Sequence, residues 1–272
     1  MFAVISGKAG RYVSGGLFRS GYRTQMVSYQ GGSYLLVELT AHKVKLKKLT
    51  ALLGDTASRA VFCTGIELPE DCGIRPIDTA EIGYVFLKNA VSFWLAESDV
   101  PLQKRRATLI DLRGVYHDLA RAMAKECALL KVVTLHRDSY EHLAVDLRAE
   151  FGAVLQVTDV LDHPNDNLML VSPKGFGVDL AGAVTAPVVT LEPDQFKGAT
   201  VIHGFSRERF DDFKLEPPER VEPLQLSAAL YGIGSQLQMR TLLPESCLLD
   251  NERRTLQNIL EERFSLDTAG KI

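Results

Sequence analysis

Apolar and polar positions along this chain fall into four stretches. Residues 1 to about 41 favour strands, and the runs Tyr22–Tyr29 and Ser33–Thr40 flank Gln30-Gly31-Gly32, which predicts a hairpin. Gly15-Gly16 and Gly21 mark earlier turns, and Ser6-Gly7-Lys8-Ala9-Gly10 reads as a turn because it lacks the full spacing of a phosphate loop. In Lys43–Leu53 the apolar Val44, Leu49, Leu52 and Leu53 fall near one helical face, and Gly54 fits a C-cap. Lys43, Lys45, Lys47 and Lys48 then form a basic anion-binding site or, the favoured reading, a solvated face, and Arg59–Thr64 reads as a buried strand completing a βαβ unit with Ser33–Thr40. After a loop from Glu67 to Pro76, Asp78 or Thr79 caps a long helix carrying Ile82, Phe86, Ala90, Trp94 and Leu95.

The middle of the chain alternates more regularly. Strands are expected at Thr108–Leu112, Lys131–Leu135, Ala153–Thr158, Asn167–Ser172, Pro187–Leu191 and Thr200–Gly204. Helices are expected at Val115–Leu130 and from Asp138 or Ser139 to Phe151, where Gly152 ends the second. Unbroken apolar strands separated by helices imply a mostly parallel sheet covered on both faces, doubly wound, with its first strand in the middle. Beyond Ser206 the chain turns polar, Pro217, Pro218 and Pro223 stiffen a linker, and Leu224–Leu243 and Leu249–Phe264 read as helices. The fold class is therefore α/β. A smaller, β-rich α/β domain (1–105) ends in the long helix, a doubly wound domain follows (106–206), and C-terminal helices (207–272) pack back or form a homo-oligomer face.

Composition narrows the class. An apolar fraction of 46% and a charged fraction of 24% are those of a globular protein. A net charge of −3 gives no basis for binding nucleic acid or an anionic membrane. The apolar run Phe2–Ile5 is too short for a signal-peptide core, and no stretch approaches the ~20 apolar residues of a membrane span, so a cytoplasmic protein is expected. Cys63, Cys72, Cys127 and Cys247 form no Cys-x-x-Cys pair and read as reduced thiols.

Ligands of open α/β sheets bind beyond the carboxyl ends of the strands, which selects the candidate residues. They are Asp111, Arg113 and Gly114 after the first strand; Thr134, His136 and Arg137 after the second; Thr158 after the third; Ser172 and Lys174 after the fourth; and His203 at the sixth. In Asp111-Leu112-Arg113-Gly114-Val115-Tyr116-His117 a single glycine stands where a dinucleotide turn needs several, and Val115 and Tyr116 crowd a diphosphate. A single phosphate or carboxylate helped by Arg113 fits this turn, and so does a plain β–α connection. Arg137 would favour a 2′-phosphate, and hence NADP, or form a solvated pair with Asp138. Lys174 is a phosphate partner, a general base if desolvated, or an exposed lysine. His117, His136, His142, His163 and His203 show no metal-ligand spacing, and no metal is expected, including from His136, His203 and Asp111 across the strand ends. No Gly-x-Ser-x-Gly elbow occurs.

From Thr108 to Gly204 the chain resembles the Rossmann-type superfamily, and its layout resembles the shikimate dehydrogenase family, in which an α/β substrate domain precedes a nucleotide domain. The glycine fingerprint is missing, and residues 1–105 hold no counterpart of that family's catalytic Lys and Asp motifs, so no catalytic residue is carried over. The expected function is binding of a small anionic ligand or a protein partner. The alternatives are an NADP-dependent oxidoreductase with an atypical phosphate turn and a structural or regulatory protein with a vestigial site.

Overall fold

The structure, a computed structural model, describes residues 1–15, 20–162, 166–175, 185–196, 198–232 and 241–265. Gly16, His163 and the 233–240 part of the expected tail helix lie outside the described residues. The chain forms two compact units, Met1–Ile82 with Arg207–Met239, and Gly83–Ser206 with Arg240–Ile272.

The first unit is built on strands β1 (Ala3–Gly7), β2 (Tyr22–Tyr29) and β3 (Gly32–Leu39), helix α1 (Leu46–Leu53) and strand β4 (Ala60–Phe62). The order is β2-β3-β1-β4, with β1 parallel to both β3 and β4. The hairpin β2–β3 forms around Gln30 and Gly31, with Tyr29 opposite Gly32. Helix α1 starts three residues later than its apolar pattern suggests, because Lys43 and Val44 pair with Val13 and Ser14 as a short parallel bridge. Its buried face is Leu46, Leu49 and Leu53, while Leu52, expected inside, is 55% exposed. The prolines after Ser206 lead into a helix, Pro223–Tyr231, that belongs to this unit. Strand β4 accounts for that: Phe62 N–H donates to Gln225 Oε1 (2.8 Å), Glu222 N–H donates to the Phe62 carbonyl (3.0 Å), and Cys63 bridges Val221.

The second unit begins within helix α2 (Ala80–Glu97), whose first amide donates to Asp78 Oδ1 (2.9 Å). The polar connector after α2, where composition suggested a domain boundary near 105, is part of this unit's framework. The Arg105 guanidinium donates to the carbonyls of Leu95 (2.5 Å), Ser98 (2.7 Å) and Val100 (2.7 Å), satisfying acceptors left open at the helix end. Strand β5 (Arg106–Ile110), helix α3 (His117–Ala124), strand β6 (Leu129–Val133), helix α4 (Asp138–Phe151) and strand β7 (Val154–Thr158) follow. Then come β8 (Met169–Ser172), β9 (Val188–Thr190), β10 (Val201–Ser206), the hairpin β11 (Ser246–Leu249) and β12 (Glu252–Thr255), and helix α5 (Leu256–Arg263).

The sheet order is β7-β6-β5-β8-β9-β10-β11-β12, parallel through β10 and antiparallel thereafter. This is the doubly wound Rossmann-like order with β5 in the middle. Ala107, Thr108 and Leu109 are fully buried in β5, and the Thr108 hydroxyl donates to Asn167 Oδ1 (3.0 Å), which keeps that central polar group satisfied.

Three local expectations are corrected. Helix α3 ends at Ala124, and Leu129–Leu130 belong to β6, since Lys125 and Glu126 turn the chain and Leu129 pairs with Arg106 of β5. No Asp138 or Ser139 side chain caps α4; its N-cap is Arg137, and the Ser139 hydroxyl donates to the His136 carbonyl (2.7 Å). The predicted tail helix from Leu249 starts only at Leu256, because Asp250 and Asn251 take left-handed backbone (φ 49° and 69°) and turn the chain into the β11–β12 hairpin. Within this unit the Trp94 indole donates to the Leu256 carbonyl (3.0 Å) and the Ser98 hydroxyl to the Phe264 carbonyl (2.8 Å).

Candidate functional site

The strand-end turn after β5 is the centre of the second unit's candidate site. Asp111 is 2% exposed, and its Oδ2 accepts from the Tyr116 backbone N–H (2.7 Å) and from the Tyr140 hydroxyl (2.6 Å). Tyr116 is the N-cap of α3, so an internal carboxylate holds the position where a helix start would otherwise meet a bound anion. Asp111 Oδ1 and His117 Nε2 are buried without a partner among the described residues. Burial and the hydrogen bond to Asp111 push the Tyr140 hydroxyl well above its ordinary range, which keeps it a donor.

Gly114, the one glycine of the turn, has φ +66°. A Cβ there would lie 2.5 Å from Ser139 Oγ and 3.0 Å from His136 Cβ. The glycine is thus required by close approach of the β5–α3 turn to the β6–α4 turn, an approach made within the protein itself.

Tyr116 stacks on Tyr84 (5.3 Å between ring centres). The Tyr84 hydroxyl donates to Asp118 Oδ1 (2.5 Å), and Lys88 donates to Asp118 Oδ2 (2.8 Å). Burial opposes ionisation of Asp118, yet the hydrogen bonds from Lys88 and Tyr84 outweigh it and hold the carboxyl below its ordinary value. Tyr116 is raised by burial and by the charges of Asp111 and Glu192, with Arg113 pulling the other way.

A cavity of about 440 Å³ opens beside this turn, lined by Asp111, Leu112, Arg113, Tyr116, Lys174, Gly175 and Glu192. Two hydrogen bonds tie its lining residues in place. The Ser172 hydroxyl donates to the Lys174 carbonyl (2.5 Å), and Glu192 Oε2 accepts from Gly175 N–H (2.8 Å). Arg113 and Lys174 are exposed, and neither forms an ion pair among the described residues.

The other candidates separate from this group. Thr134, His136 and Arg137 line a second hollow with Asp159, and the buried Thr134 hydroxyl oxygen accepts from His136 N–H (3.1 Å). Arg137 pairs with Asp159 (2.7 Å), not with Asp138 as one reading had it, because the neighbouring strand β7 ends directly opposite. The Thr158 hydroxyl oxygen accepts from Val160 N–H (3.1 Å) and so serves its own turn. His203 lies inside β10 rather than at its end, since the strand runs on through a bulge and Gly204 (φ +60°) to Ser206. Among the described residues no group of three or more His, Cys, Asp or Glu is placed to hold a metal ion. Also among them, no helix is long and apolar enough to cross a membrane. Composition had not singled out Tyr84, Tyr140 or Glu192. Only Tyr140, in the first turn of α4 on its buried face with Leu143 and Leu147, carries a periodicity signal.

No protein-family model matches the chain, and no curated protein does. Among solved structures it is similar to L-tryptophan dehydrogenase from Nostoc punctiforme, at 15% identity over 63% of this chain and 58% of that one, with a TM-score of 0.32. It is also similar to the ligand-free form of 5-ketofructose reductase of Gluconobacter sp. strain CHM43, at 15% identity over 63% of this chain and 76% of that one, with a TM-score of 0.34. The chain thus spans less than two thirds of the first of these proteins.

Proposed function

We propose that the second unit is a binding module for a small, singly headed anion, a phosphate or a carboxylate, held between Arg113 and Lys174, and that it does not take the diphosphate of a dinucleotide. The observation that carries this reading is the bond from the Tyr116 N–H to the Asp111 carboxylate. A diphosphate at this turn would have to displace a buried charge that also holds Tyr140. It would also lie against the Val115 and Tyr116 side chains, where a dinucleotide site has glycines. At an effective dielectric of about 20, an anion some 6 Å from that carboxylate is opposed by roughly 3 kcal/mol. Arg113 and Lys174, standing on the mouth of the cavity, leave room for one anionic head at a greater separation.

Titration calorimetry of the whole chain with inorganic phosphate, acetate, NADH and NADPH tests this. The expected result is binding of phosphate or acetate near ~1 mM, about −4 kcal/mol, which Arg113→Gln with Lys174→Gln abolishes. Micromolar binding of NADPH or NADH would overturn the proposal and favour the NADP-dependent oxidoreductase. In that case Arg137→Ala should selectively weaken NADPH.

A further inference from the structure

The turn Ser6-Gly7-Lys8-Ala9-Gly10 has no role in the site above, and it lies in the other unit. There β1, β3 and β4 run parallel, and the residues leaving their carboxyl ends (Ser6 to Lys8, Leu39 to His42, and Cys63) line one cavity of about 820 Å³. Strand ends of parallel sheets are where open α/β folds take ligands, and the volume falls in the range of a small-molecule site.

The charges around this cavity come from separate parts of the chain. Lys8 follows β1, Arg23 sits on β2, His42 follows β3, and Arg220 arrives from the stretch that follows β10. Glu38 and Glu219 also reach the wall. Arg23 stands directly across the hairpin from Glu38, yet none of Lys8, Arg23 and Arg220 forms an ion pair among the described residues. Three exposed cations therefore line one cavity, of which Arg220 also donates from Nη2 to the Thr64 carbonyl (3.4 Å).

The turn geometry holds them there. Gly7 is needed because a Cβ would lie 2.7 Å from the Tyr12 hydroxyl, and that buried hydroxyl donates to the Lys8 carbonyl. Tyr12 also stacks on His42 (5.2 Å). Arg220 is non-glycine at φ 61°, and its carbonyl accepts from Thr64 N–H (2.6 Å). A Cβ on Gly65 would lie 2.8 Å from Ala9 Cβ and 3.8 Å from Arg220 Nη2, so the guanidinium sits at the Lys8–Gly10 turn.

We infer that this cavity of the first unit binds a small organic anion, with a phosphate or carboxylate head group on Lys8 and Arg220 and its polar body toward Arg23 and Glu38. Leu36, Leu39 and Pro218 supply apolar contact for that body. The inference does not depend on the second unit's cleft.

Calorimetry of the full chain with citrate, glucose 6-phosphate and inorganic phosphate, repeated for three variants, provides the test. Lys8→Gln with Arg220→Gln should weaken binding tenfold or more. Arg113→Gln with Lys174→Gln should leave the first-unit isotherm in place. Arg220→Gly suits the left-handed backbone, so it should keep the unfolding midpoint and still lose binding, which a merely structural arginine would not do. Citrate bound without glucose 6-phosphate assigns a carboxylate head and the converse a phosphate, and either supports the site. Absence of binding for all three probes at 10 mM would overturn the inference. So would binding that survives Lys8→Gln with Arg220→Gln and vanishes with Arg113→Gln and Lys174→Gln, a result that leaves the second unit's cleft standing.

Discussion

Replacing Asp111 separates structural from ligand-binding roles at the β5–α3 turn. In Asp111→Ala, the Tyr116 N–H and the Tyr140 hydroxyl lose their shared acceptor inside the protein. Hydrogen bonds to a charged group contribute about 1.5–3 kcal/mol each, so the gross loss is roughly 3–6 kcal/mol. Removing a buried carboxylate whose Oδ1 has no partner returns part of that, leaving a net loss of about 2–4 kcal/mol. Asp111→Asn keeps one carbonyl oxygen for the two donors and forfeits only charge assistance, a loss of about 1–2 kcal/mol. The assay is urea unfolding followed by fluorescence of Trp94, the sole tryptophan, which is fully buried in the same unit. Midpoints should fall in the order wild type, Asn, Ala with an unchanged slope, and melting temperatures by roughly 2–4 °C per kcal/mol. Phosphate affinity of Asp111→Asn should rise, since the repulsive charge is gone. Two variants both within about 0.5 kcal/mol of wild type, or weaker phosphate binding by the Asn variant, would refute the reasoning.

Gly114→Ala should destabilise by about 2 kcal/mol or more in the same urea assay, since its Cβ meets Ser139 Oγ at 2.5 Å on backbone with φ +66°. Arg137→Ala should change stability by less than about 1 kcal/mol and leave phosphate titrations unaltered, because its pair with Asp159 is exposed on both sides. Native labelling with Ellman's reagent at pH 8 should find one fast thiol, the half-buried Cys72. Burial pushes Cys63 to about 11 and Cys127 and Cys247 to about 12, so their thiolate fractions there are about one in a thousand or less, and all three should react only in denaturant. Asp118 has a folded pKa below its unfolded value, so its contribution is complete above about pH 5 and fades as pH falls through the folded value; Asp118→Asn should flatten that acid limb in a pH series of urea melts.

The parallel core was legible because buried central strands are largely apolar runs: Met169–Val171 is continuous, and Leu129–Val133 is broken only by Lys131, whose ammonium pairs with Asp162 (2.6 Å). Boundaries were less legible for the same reason. Lys125-Glu126 marks the turn after α3, but the apolar run Cys127–Leu130 that follows it has no internal break to show that β6 begins only at Leu129. In the tail, Glu252-Arg253-Arg254-Thr255 has no alternating apolar face. Its strand character comes from pairing with β11 and from the Asp250-Asn251 turn, whose left-handed propensity was the available signal. Gly114 shows a motif residue with another cause. The sequence marked a permissive position, and only contact with Ser139 and His136, which are distant in sequence, explains why it must be glycine.

The doubly wound sheet persists without a glycine fingerprint because its stability comes from burial along strands and helices, while the turn needs only an anion to complete the start of α3. Asp111 supplies that anion from within. The consequence is asymmetric satisfaction around the turn: Tyr116 N–H and Tyr140 are paired, while among the described residues Asp111 Oδ1 and His117 Nε2 have no partner and the cations Arg113 and Lys174 form no ion pair. In the first unit Lys8, Arg23 and Arg220 likewise form no ion pair among the described residues around a larger cavity. Exposed charges lose little by standing alone, so an unpaired lysine proves nothing by itself. What distinguishes these groups is convergence: residues far apart in sequence are brought to the carboxyl ends of parallel strands by turns such as Gly7 and Arg220 whose backbone or packing admits few alternatives. The proposed anion sites therefore lie where internal pairing stops, and the variants of Lys8, Arg220, Arg113 and Lys174 test them separately in each unit.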